Sequence, residues 1–63
     1  MREAATITFE DADSSEEAIA IVRFDTDYVG LCISLQSDGD VEVVMAKDVA
    51  TRLVQALQQA IQG

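Results

Sequence analysis

Histidine and proline are absent from this 63-residue chain, cysteine occurs once, and Phe9, Phe24 and Tyr28 are the only aromatic residues. A lone Cys32 excludes an intrachain disulfide. With no histidine and no second cysteine, a structural zinc site is excluded as well. Basic residues are almost as scarce, being limited to Arg2, Arg23, Lys47 and Arg52. Phosphate contacts are made by Lys and Arg, so unassisted binding to nucleic acid or to an anionic lipid surface is not expected. No stretch approaches the roughly 20 apolar residues that cross a bilayer. Met1 to Ser15 also lacks the apolar run of a signal peptide. A cytoplasmic protein is the expectation, in keeping with one unpaired thiol.

Carboxylates are what the chain has in excess, twelve against four basic side chains, for a net charge of -8. Glu10, Asp11, Asp13, Glu16 and Glu17 crowd one short stretch, and no acid follows Asp48. Half of the residues are nevertheless apolar, mostly aliphatic and often β-branched. A chain this short forms one domain and buries only about 60% of the surface that its unfolded form exposes. Self-association is the stabilising device that remains once disulfides and zinc are set aside.

The last segment carries the clearest periodicity. Between Ala46 and Gln62 the residues Val49, Ala50, Leu53, Val54, Ala56, Leu57, Ala60 and Ile61 fall on one arc of about 160° at helical spacing. Thr51, Arg52, Gln55, Gln58, Gln59 and Gln62 lie opposite, and Asp48 suits the positive end of the helix dipole. Ahead of this helix, Tyr28 to Gln36 and Asp40 to Met45 alternate as strands do around the turn residues Ser37, Asp38 and Gly39. A three-residue loop with Gly39 left-handed would pair Leu35 with Val41, Ile33 with Val43 and Leu31 with Met45. That register gathers the large apolar residues on the face expected to meet the helix.

Ala18 to Phe24 reads as another strand, joined to the hairpin through Asp25, Thr26 and Asp27. A three-residue loop would place Ile19 and Ile21 beside Ile33 and Leu31; a two-residue loop would place Ala20, Val22 and Phe24 there. Ser14 and Glu17 have capping-box spacing, but the β-branched alternation that follows favours a strand over a helix. Ala4 to Phe9 is a further candidate strand, with Ile7 and Phe9 on one side and Thr6 and Thr8 on the other. The expected fold is therefore α+β: a three- or four-stranded antiparallel sheet with one C-terminal amphipathic helix packed on one face. Within this single domain, 1–17 form an acidic strand and loop, 18–45 antiparallel strands and 46–62 the helix.

The second sheet face would present Tyr28, Gly30, Cys32, Ser34, Glu42 and Val44. Tyr28, Cys32 and Val44 are thus candidate contacts of a homodimer. Cys32 has no histidine to activate it and no basic sequence neighbour, so it reads as packing. The alternating acids Asp38, Asp40 and Glu42, or Asp25 and Asp27, do not fit a calcium loop pattern, and no metal or cofactor is expected. Catalysis by paired carboxylates needs a pocket that shifts their pKa, for which one sheet and one helix leave little room, so a non-enzymatic role is expected.

Glu10, Asp11, Asp13, Glu16 and Glu17, with Asp25 and Asp27, are the candidate partner-binding residues, and Asp38 and Asp40 could extend them. Spaced carboxylates on a small rigid body can occupy a basic groove and exclude the phosphates that belong there. In size and charge the chain resembles the small acidic inhibitors that phages deploy against host defence nucleases, anti-CRISPR proteins among them. That resemblance of class implies a protein partner and assigns no residue roles. A homodimeric structural or regulatory subunit is the alternative expectation.

Overall fold

The computed structural model describes residues 1–63 as a four-strand meander followed by one helix: β1 (Arg2–Glu10), β2 (Glu17–Phe24), β3 (Tyr28–Leu35), β4 (Gly39–Ala46) and α1 (Lys47–Gln62). The sheet is antiparallel throughout, in the order β1-β2-β3-β4. The α+β expectation therefore holds, and the first strand pairs within its own chain. Of 40 backbone hydrogen bonds, 36 lie within the helix or the ladders, so turn chemistry contributes only the remaining few.

The pairing sorts the side chains cleanly. One face carries Ile7 and Phe9 of β1, Ala18, Ala20, Val22 and Phe24 of β2, Val29, Leu31, Ile33 and Leu35 of β3, and Val41, Val43 and Met45 of β4. The other carries Thr6, Thr8 and Glu10, then Glu17, Ile19, Ile21 and Arg23, then Tyr28, Gly30, Cys32 and Ser34, then Asp40, Glu42 and Val44. Successive residues of a strand point to opposite faces, so sequence alternation becomes this division directly. A bulge between Glu3 and Ala5 absorbs one residue of β1 and keeps its two ends in step with β2.

The β2–β3 connection takes the two-residue form, aligning Ala20 with Ile33 and Val22 with Leu31. The Asp25 amide donates to the Tyr28 carbonyl at 3.0 Å, while Asp25 Oδ1 accepts from the amides of Asp27 and Tyr28 at 2.9 and 2.8 Å. A side-chain oxygen thus takes the amide that a hairpin carbonyl would otherwise receive.

The β3–β4 register differs from the sequence expectation by two residues. Leu35 pairs with Gly39, Ile33 with Val41, Leu31 with Val43 and Val29 with Met45, and the loop is Gln36, Ser37 and Asp38. Gly39 has φ 78°, the left-handed conformation expected of it. A shift of two leaves every side chain on its face, so hydrophobic alternation cannot distinguish these registers. The observed one carries the ladder on to Tyr28 and Ala46, ending where the helix begins.

The helix leaves the sheet at Ala46 and lies on its apolar side. Ala50, Thr51 and Val54 line a recess with Phe24 and Val29, and β3 and β4 are the strands it meets. Asp48 stands in the first turn, and the Gly63 amide closes the last turn on the Gln59 carbonyl. No helix residue is buried. Exposure rises along the apolar stripe, from 39% at Leu53 to 54% at Leu57 and 81% at Ile61. The helix therefore covers only one margin of the apolar face; Ile7, Phe9, Ile33, Val41 and Val43 stay open to solvent. Only Ala18 and Gly30 are buried in the whole chain. No helix is long and apolar enough to cross a membrane.

Candidate functional site

An antiparallel meander places alternate turns at the same end, and here that concentrates the acids. The β1–β2 loop carries Asp11, Asp13 and Glu16, flanked by Glu10 and Glu17, which face each other across the ladder. The β3–β4 turn brings Asp38, with Asp40 two residues on. Glu16 joins the two turns, since its Oε1 accepts from the Ser37 amide at 3.2 Å. Seven carboxylates share this end with no Lys or Arg among them. The rest of the chain holds the other five acids and all four basic residues, so seven of the eight units of net negative charge belong to the turn end.

These carboxylates fall into two groups. Asp11 Oδ2 accepts from the Ser14 hydroxyl at 2.6 Å and from its amide at 3.2 Å. Its amide donates to the Glu16 carbonyl, and its own carbonyl accepts from the Ser15 amide, both at 2.8 Å. These bonds hold a reversal in which Ser15 takes φ 65°, a conformation costing a non-glycine residue about 1–2 kcal/mol. The Ser14 hydroxyl, followed by backbone amides, keeps the Asp11 carboxyl below its ordinary pKa. Asp40 accepts from the Ser34 hydroxyl at 2.6 Å. Asp11, Glu16 and Asp40 therefore shape the loops. Glu10, Asp13, Glu17 and Asp38 make no hydrogen bond to the chain through their carboxylates and stand exposed to solvent.

Asp25 and Asp27 are not part of this cluster. They occupy the β2–β3 turn at the opposite end, where Asp25 shares a recess with Met1, Arg2, Phe24, Thr26 and Lys47. The amides of Asp27 and Tyr28 lower the Asp25 pKa, with a smaller contribution from Lys47. Sequence reasoning grouped all seven candidates by charge; the topology separates five from two. The signal was present in strand parity, because the first and third turns of a meander lie together and the second lies apart.

Tyr28, Cys32 and Val44 share the more polar face, as the alternation indicated. Around them lie Gly30, covered by the Met1 side chain, and the exposed ion pair of Arg23 Nη1 with Glu42 Oε2 at 2.8 Å. A Cβ on Gly30 would stand 3.2 Å from the Met1 sulfur, so the thioether occupies space that the missing side chain leaves. Cys32 is half-buried opposite Glu42. Nowhere do three acids or cysteines converge as a metal-binding group would.

Comparisons of the chain with protein-family models, with curated proteins and with solved structures give no match.

Proposed function

We propose that this chain is a non-enzymatic, cytoplasmic protein-binding module whose acidic turn end docks on a basic surface of another protein. The observation that carries the reading is the segregation of charge: seven carboxylates at one end of the sheet, the remainder of the molecule close to neutral. A field concentrated in this way steers a small body onto a cationic groove and raises its association rate, with strong dependence on salt. A groove that ordinarily holds nucleic-acid phosphates has the required chemistry. Occupying it would exclude those phosphates, which makes inhibition of a nucleic-acid-binding protein the mode of action.

Glu10, Asp13, Glu17 and Asp38 carry the contact, while Asp11, Glu16 and Asp40 hold the loops that present them. The test replaces those four by Gln or Asn and compares capture of proteins from a lysate, with identification by mass spectrometry. Basic proteins captured by the wild-type chain should be lost with the variant, and lost from the wild type in about 0.5 M salt, where the Debye length is only a few Å. Unchanged thermal stability of the variant would show that the fold was not the cause. An identical captured set for both chains would overturn the reading.

A further inference from the structure

The apolar side of the molecule is larger than a self-sufficient chain would leave open. Of the large hydrophobic residues exposed, six belong to the apolar sheet face and five to the helix stripe; Met1, Tyr28 and Val44 are the others. The chain exposes 4899 Å², whereas a folded monomer of 6.8 kDa exposes about 3,950 Å² by the usual scaling. The difference, about 950 Å² per chain, is close to the roughly 800 Å² that each partner buries in an interface of standard size. The radius of gyration tells the same story: 12.7 Å against about 10.6 Å for a compact domain of this length.

We propose that a second copy of this chain covers the apolar sheet face, each copy laying its helix stripe across the open strands of the other. Three observations select this occupant. First, the helix stripe joins the apolar face at the recess where Ala50 and Val54 meet Phe24 and Val29, so the open parts of both adjoin and two copies related by a twofold axis can satisfy them together. Second, the face carries no acid, so a basic partner gains no charge complementarity there, while an equally acidic copy brings no carboxylate of this face against another. Third, pairing the open edges of β1 or β4 would only lengthen the sheet and leave the apolar face wet, so association has to be face-on. The twofold axis runs across the strands, because an axis along them would bring two ends of seven carboxylates together. The assembled dimer therefore shows one acidic end at each pole, and the face with Tyr28, Cys32 and Val44 lies outside the interface.

Sedimentation equilibrium on the full chain tests this, alongside thermal melting at several concentrations and two opposed substitutions. The wild type should sediment at twice the mass of the chain at micromolar concentration, and its melting temperature should rise with concentration. Val41→Asp on the apolar face should lower self-affinity at least 100-fold, read as monomer or unfolded chain at concentrations where the wild type is dimeric. Val44→Lys on the opposite face should leave the dimer mass unchanged. A cooperatively folded monomer with a concentration-independent melting temperature would overturn the proposal. So would a chain that folds only on addition of a different protein, or a dimer broken by Val44→Lys and not by Val41→Asp.

Discussion

The two faces of this sheet are built from the same four strands and the same alternation, yet they solve opposite problems. On the polar face, short and charged side chains settle their needs locally. Arg23 meets Glu42, Ser34 meets Asp40, Thr6 donates to Glu3 at 2.8 Å, and Met1 lies over Gly30. On the apolar face the neighbours cover the small Ala18 but leave Ile7, Phe9, Ile33, Val41 and Val43 in water, because hydrocarbon gains only by leaving water and a single layer has nowhere to put it. The lone helix reaches one margin of that face and stops. A sheet can thus be complete in its hydrogen bonds and still incomplete in its packing.

The sharpest way to break this contrast is a charge on each side. Val43 is about half exposed in the single chain. Were the face open in solution, Val43→Asp would change stability by no more than about 0.5 kcal/mol, as surface substitutions do. Beneath a second copy the same change buries an unpaired carboxylate and costs at least about 3 kcal/mol, measured by urea unfolding at fixed chain concentration. The larger value is expected.

A smaller effect comes from the device that keeps the faces apart. Gly39 holds φ 78° at the start of β4, and a slip of one residue there would exchange the two faces of the last strand. Nothing lies within 4 Å of a Cβ at this position, so Gly39→Ala meets no clash and its cost is conformational alone. About 1–2 kcal/mol is expected from chemical denaturation.

The smallest effect sits at the end of the sheet away from the acidic turns. Asp25 accepts two backbone amides, which favour its ionised form and lower its pKa. A group depressed on folding adds stability that is fully present above its unfolded value and is lost as the pH falls through the folded one. The Asp25 contribution should therefore persist at pH 5 and fade only below the ordinary value of 3.8. Carboxyl chemical shifts followed through an acid titration should give a midpoint under that value. Asp25→Asn should remove this part of the acid sensitivity while keeping the turn, since an amide oxygen can still accept.

Much of this was legible in the sequence, and the parts that were not share a cause. The helix, the strands and the membership of each face follow from periods of 3.6 and 2, which side-chain chemistry writes plainly. The β3–β4 register was misplaced by two residues because a period of two repeats after two. The β2–β3 register rests on a turn detail that alternation does not encode, the Asp25 carboxylate taking the Tyr28 amide in a two-residue loop. Charge counting could gather Glu10, Asp11, Asp13, Glu16 and Glu17, but it could not tell that Asp11 and Glu16 are loop fasteners while Glu10, Asp13 and Glu17 are free. Least legible was the reach of the helix. An amphipathic stripe announces that it will be covered without saying by which chain.

The strand order has a consequence for how the molecule comes to exist. Because every ladder joins strands adjacent in sequence, each hairpin closes over a short loop and no distant segments need to find one another. The entropic search that slows many β-proteins is nearly absent here. A sheet whose ladders are all local can pair its strands with one side still bare, so a surface that covers that side adds to its stability without having to direct its assembly.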